Sequence, residues 1–141
     1  MIELFVVCVG GSIGALLRYL LSKYALDFGL SYQMTLCINI LGCCFLSFVS
    51  YLSLKRSHIV SSKLKLFLNT GIAGGFTTFS TFSYEAFKMF SENQYLLGLL
   101  YIGCSCIMCL FAAFWGAVLA QRILKYRLVL KRKKNRMGGL I

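Results

Sequence analysis

The sequence has no proline, a single histidine (His58) and, in 141 residues, only four acidic side chains: Glu3, Asp27, Glu85 and Glu92. Charged residues make up 13% of the chain, against roughly 25% in a soluble domain. With 59% of the residues hydrophobic, so thin a charge cover excludes a water-soluble monomer and with it a soluble enzyme. Without proline, any break in a helical pattern has to be sought at glycine. Histidine and carboxylates are too sparse to supply a nucleophile with its base, and none of the seven cysteines (Cys8, Cys37, Cys43, Cys44, Cys104, Cys106, Cys109) stands at metal-ligand spacing with a histidine. All seven fall inside apolar stretches and read as small packing residues.

What is abundant is apolar length. Four stretches, approximately 4–24, 32–54, 64–90 and 95–123, each offer the ~20 residues that a helix rising about 1.5 Å per residue needs to cross a core of ~30 Å. The reading is an all-α integral membrane protein: a four-helix transmembrane domain over 1–125 and a basic tail over 126–141, frayed or surface-bound. Polar segments around Asp27-Phe28-Gly29, Lys55 to Lys63 and Ser91 to Gln94 separate the helices. The start, Met1-Ile2-Glu3-Leu4, lacks the basic region of a signal peptide, so its apolar run is expected to be retained.

The net charge of +11 does not make a nucleic-acid partner. Its basic residues gather at the ends of apolar stretches, as membrane insertion requires, and Lys131-Arg132-Lys133-Lys134 suits anionic lipid headgroups. One side of the membrane would hold both termini, Lys55, Arg56, Lys63, Lys65 and the cluster from Arg122 to Arg136. The other would hold little beyond Lys23 and Lys88, with Arg18 near the end of the first helix. This bias predicts a multi-pass protein of the cell membrane with both termini in the cytoplasm.

Packing signals accompany the spans. Gly10-x-x-x-Gly14, Gly11-x-x-x-Ala15 and Ala112-x-x-x-Gly116-x-x-x-Ala120 line small residues on one helix face, which lets backbones approach closely in lipid. Gly10-Gly11-Ser12-Ile13-Gly14-Ala15 is no dinucleotide loop, since the first glycine of that pattern would fall on Val9 within apolar sequence. Four short helices enclose little, so an oligomer is expected.

The third stretch, Asn69 through Glu85, is the unusual one. Gly71, Gly74 and Gly75 precede five hydroxyl residues in the seven positions 77–83, set around Phe79 and Phe82. Each glycine weakens a helix by about 1 kcal/mol relative to alanine. The cluster predicts a broken helix at mid-membrane, where irregular backbone survives only if buried in protein or lining a wet cavity. Freed carbonyls there suit a small cation. The plainer alternative is hydroxyls bonded one turn back along an intact helix. Asn39 lies mid-span in the second helix, and Tyr101, Ser105 and Cys109 share one face of the fourth. Arg18 is placed to snorkel, and Glu85 to pair with a basic group or accept hydroxyl protons. The combined lining donates hydrogen bonds through neutral groups and aromatic ring edges, which suits a small hydrated anion that must also leave.

Three segments then resemble the Fluc (CrcB) fluoride channels across all four helices: Gly10 through Tyr19, Asn39-Ile40-Leu41-Gly42, and Gly71 through Ser83 with Glu85. The resemblance implies a dual-topology dimer of antiparallel subunits with two fluoride pores and a central sodium ion, exporting fluoride passively. It implies Asn39 as the pore amide, Phe79 and Phe82 as ring edges contacting fluoride, and Ser80, Thr81, Tyr101 and Ser105 along a polar track. Carbonyls of Gly74 and Thr77 would hold the sodium; Arg18 and Glu85 would stand at or near a vestibule. Two departures stand out. Cys109 occupies a place where a smaller or hydroxyl residue is expected. The charge bias also favours a heterodimer with an oppositely oriented homologue over a homodimer. The rival readings are a small proton-coupled multidrug-type transporter, which needs a deep carboxylate, a non-conducting accessory subunit and a membrane enzyme.

Overall fold

The computed structural model describes residues 1–55 and 61–138; Arg56 and His58, with the side chains from Leu130 onward including the 131–134 run, lie outside the described residues. Among the described residues every regular element is helical. Helix α1 (Ile2–Asp27) is followed by α2 (Ser31–Lys55), the short α3 (Ser62–Lys65), a π-helical segment (Leu66–Ala73), α4 (Gly74–Phe76), α5 (Phe79–Ser91) and α6 (Tyr95–Gly138). Three of these, Ile2–Asp27, Ser31–Lys55 and Tyr95–Val129, are long and apolar enough to cross a membrane. The third apolar stretch is instead assembled from α3, the π segment, α4 and α5, and it breaks after Gly74-Gly75-Phe76, next to the glycine cluster.

Two of the three expected turns are closed by the backbone, while that from Lys55 to Lys63 lies largely outside the described residues. After α1, Gly29 takes φ +68, its N–H donates to the Leu26 carbonyl at 3.1 Å, and Leu30 N–H donates to Ala25 at 2.9 Å. This crossed pair satisfies carbonyls that the helix end would orphan. After α5, Asn93 fills the same left-handed position (φ 58), with Gln94 N–H on the Met89 carbonyl at 2.8 Å. At the start of α3, the Ser61 side chain caps Leu64 N–H at 3.2 Å.

α1 packs on the π segment and α4, and α2 packs on α6. The small-residue faces read from the sequence are these contacts. A Cβ on Gly10 would meet the Phe67 carbonyl oxygen at 2.6 Å; one on Gly14 would strike the Ile72 carbonyl; one on Gly75 would strike the Gly11 carbonyl. On the other side of the bundle a Cβ on Gly116 would strike the Cys44 carbonyl, and Ala120 beside it is fully buried. Dispersion between close backbones is what holds helices together where lipid removes the hydrophobic drive. The outward faces match that solvent: Leu4, Phe5, Leu96, Leu110, Phe111 and Trp115 are all exposed.

Helix α6 runs on past residue 123 through the expected tail as far as Gly138. Its 44 residues would measure about 66 Å at 1.5 Å per residue, twice a bilayer core. Between Gly116 and Gly138 there is no glycine or proline to stop it, and Leu, Lys and Arg there are good helix formers.

Candidate functional site

The break between α4 and α5 organises everything around it. Thr77 (φ −74, ψ 156) and Thr78 (φ −145, ψ 113) are extended, so the helical hydrogen-bond ladder is cut. Asn39, from α2, replaces it. Its Nδ2 donates to the Thr78 carbonyl at 3.1 Å, and its Oδ1 accepts from Thr78 N–H at 2.9 Å. Thr78 is 5% exposed, and both its backbone groups would otherwise be buried unpaired. The Thr78 hydroxyl caps α5 by accepting from Thr81 N–H at 3.1 Å, and it donates to the Thr81 hydroxyl at 2.9 Å with Ser80 Oγ 3.3 Å away. Thr77 Oγ1 donates back to the Ala73 carbonyl at 3.0 Å, so the plainer reading of the hydroxyls holds for this residue.

A groove of about 350 Å³ opens beside the break. Six of the residues read from the sequence line it together: Asn39, Gly74, Thr77, Phe79, Phe82 and Ser105. Cys109, which shares the Ser105 face of α6, lines it too. Two buried polar atoms on its wall, Asn69 Oδ1 and Ser105 Oγ, have no hydrogen-bond partner among the described residues. The Asn69 amide is held from its other end, Nδ2 donating to Ser50 Oγ at 2.7 Å. Asn69 sits in the π segment, a helix form that is rare and often marks functional sites.

A second groove, of about 450 Å³, is lined by Tyr19, Lys23, Thr35, Thr81 and Glu85 among others. Glu85 is 6% exposed and accepts two hydrogen bonds: Thr35 Oγ1 donates to Oε1 at 2.9 Å, and Tyr101 OH donates to Oε2 at 2.6 Å. Of the two roles expected for this carboxylate, accepting hydroxyl protons is the one found; no basic group pairs with it among the described residues. Aromatic rings join the two regions. Phe79 and Phe82 lie 5.9 Å apart between centroids, Phe82 and Tyr101 5.3 Å, and Tyr101 and Tyr32 6.1 Å, all tilted or edge-on. The Tyr101→Phe variant is expected to lower stability by about 1 kcal/mol, and by up to ~3 if the carboxylate is charged. A double-mutant cycle with Thr35→Val, read from melting midpoints in detergent, checks this; strictly additive losses would show that the two hydroxyls do not share one acceptor.

Arg18, on α1, is half-buried and lines neither groove. Ser80 is exposed, at the first turn of α5. Three residues of the site were not singled out from the sequence: Thr78, Thr35 and Asn69. Thr35 carried a signal, since it stands one helical turn before Asn39 and so shares its face of α2.

Comparison with known proteins identifies the family. A family model described as CrcB-like protein, Camphor Resistance (CrcB), matches residues 5–117. A protein named fluoride-specific ion channel FluC from Clostridium perfringens is 46% identical over 106 residues, covering 71% of this chain and 82% of its own. One of the same name from Methanocaldococcus jannaschii is 40% identical over 124 residues, covering 87% and 98%. A third, from Flavobacterium psychrophilum, is 38% identical over 125 residues, covering 85% and 98%. These relatives are named as channels, not enzymes, and their likeness extends over most of both chains. With its membrane-length helices and a polar break at their centre, the chain is a multi-pass membrane protein that belongs to the CrcB (FluC) family.

Proposed function

We propose that the chain is one subunit of a fluoride-selective channel that crosses the cell membrane four times and releases fluoride passively from the cytoplasm. The observation that carries this reading is the clamped break. Asn39 spends its amide on Thr78, and beside that pairing a groove presents hydroxyls and the rings of Phe79 and Phe82. An anion passing there meets neutral donors and positive ring edges, which replace water without trapping a charge. From Phe82 the rings and hydroxyls continue through Tyr101 to Glu85, along the track that Ser80 and Thr81 flank at the first turn of α5.

A second subunit is part of the proposal. Phe79 is 80% exposed, so much of its ring is left for a partner to cover. The same region suits a sodium ion at a dimer centre. In an unbroken helix Thr78 N–H would bond to the Gly74 carbonyl; here it goes to Asn39, which leaves that carbonyl without its usual donor. Gly74 and Thr77 would hold the ion through carbonyl oxygens, a hard donor set that matches a hard cation. Its positive charge would fix the two breaks against each other. The strong Lys and Arg bias supports a cytoplasmic side for both termini and favours pairing with an oppositely inserted homologue.

Efflux from liposomes tests the reading, with the chain alone and mixed with such a homologue, and chloride as the control ion. Fluoride-selective efflux is expected with the partner present, and Phe79→Ile should slow it by about tenfold or more, equivalent to ~1.4 kcal/mol of barrier. Efflux from this chain alone would keep the channel and remove the fixed-orientation pairing. Folded protein that passes no fluoride in either preparation would sink the channel reading.

A further inference from the structure

Two side-chain amides line the groove beside the break, and they are spent differently. Asn39 has both ends engaged with Thr78. Asn69 is held at one end only: Nδ2 donates to Ser50 Oγ of α2 at 2.7 Å, while Oδ1 is buried and has no partner among the described residues. The residue is only 9% exposed, so the loss of water from that atom goes uncompensated. A buried polar atom in this state needs a reason, and a ligand that completes its hydrogen bonding is one. Ser105 Oγ, from α6, is the other buried and unpartnered polar atom on the same groove.

We infer that Asn69 is an anion-contacting residue of this groove, its amide turning over so that the NH2 group donates to the passing fluoride. The inference rests on the channel reading. The two ends of an amide are close in size, and a serine hydroxyl either donates or accepts. After a half-turn about Cβ–Cγ, Oδ1 accepts from the Ser50 hydroxyl where Nδ2 had donated to it, so the anchor on α2 survives. Nδ2 then takes the place of the unpartnered Oδ1. With the carbonyl toward the groove, the amide turns lone pairs to an anion and repels it. With the NH2 toward the groove, the anion is the acceptor that the buried atom needs. The occupant thus selects the orientation: an acceptor draws out the NH2, a cation the carbonyl. The Ser105 hydroxyl supplies a second donor by rotating its hydrogen. Both groups are neutral, so they replace water around the ion without trapping it.

Side-chain amide NMR on the unsubstituted full chain tests the contact directly, in whichever preparation conducts fluoride and with only this chain labelled with nitrogen-15 at asparagine. The sequence has four asparagines, Asn39, Asn69, Asn93 and Asn135, so four pairs of amide signals are to be assigned through the backbone. Fluoride is expected to move the Asn69 NH2 hydrogens downfield in a saturable way, at fixed sodium, and an equal concentration of chloride to leave them in place. Signals that ignore fluoride while the preparation conducts it, or that follow sodium instead, would overturn the contact. Efflux supplies the second arm. Asn69→Asp keeps an acceptor for the Ser50 hydroxyl but offers the groove no donor, and Asn69→Leu offers neither. Each is expected to slow fluoride efflux by about tenfold or more. Undiminished efflux in Asn69→Asp would also overturn the contact. Either negative result with conduction intact strikes Asn69 alone, whereas folded protein that passes no fluoride in any preparation strikes the channel reading and this contact with it.

Discussion

A single methyl group at Gly75 is expected to prevent the first helix from closing on the broken segment. In Gly75→Ala the new Cβ would overlap the Gly11 carbonyl oxygen and lie 3.0 Å from Gly11 Cα, and all of these are backbone atoms that no rotamer change can move. Overpacking a well-fitted contact costs about 1–3 kcal/mol, and a clash between two backbones belongs at the upper end. The neighbouring Gly11→Ala supplies the comparison, because its Cβ would meet nothing closer than the Gly71 carbonyl oxygen at 4.0 Å. The expected result is a large loss of monodisperse protein and of melting midpoint for Gly75→Ala, with Gly11→Ala near the starting protein. Equal stability of the two variants would show that close backbone packing does not hold this crossing.

Asn39→Leu should be the most damaging change of similar size in the second helix. It removes both partners of Thr78, leaving an N–H and a carbonyl of a residue only 5% exposed without hydrogen bonds. Each unsatisfied buried group costs about 1–3 kcal/mol, so the pair puts ~2–6 kcal/mol at stake, with no water in the bilayer core to relieve it. Asn39→Asp separates the two bonds. A carboxylate still accepts from Thr78 N–H and cannot donate to its carbonyl, so this variant should fall between asparagine and leucine in thermal stability. Efflux should follow the same order, because the groove residues on either side of the break are positioned by that clamp. A leucine variant that melts with the unsubstituted protein would mean that Thr78 finds other partners and that Asn39 is free for another role.

The same clamp shows how far the sequence could be read. Asn39 was identifiable as a costly mid-span amide, and a role facing the permeating ion was expected for it. Its bonds with Thr78 join positions 39 apart in the chain, and no local pattern encodes such a pairing. Glu85 is similar: Tyr101 was legible as one of a polar face, whereas Thr35, 50 residues before Glu85, became its partner only through the rotation of α2 about its axis. The Cys109 departure was visible at once, but that Cys43 and Cys106 would line the same groove was not.

By itself, the sequence determined the solvent, three of the spans, two of the turns and the site of the break. These follow from quantities summed along the chain: apolar length against bilayer thickness, glycine at the end of a helix, hydroxyls after a glycine run. It also determined which faces could approach closely, since Gly10, Gly14 and Gly75 have no side chain to keep backbones apart. Tertiary structure alone decided who meets whom across those faces. In lipid each buried polar group must find a partner within the protein, and the choice among partners depends on helix register and rotation, which a three-dimensional contact sets and a one-dimensional periodicity does not.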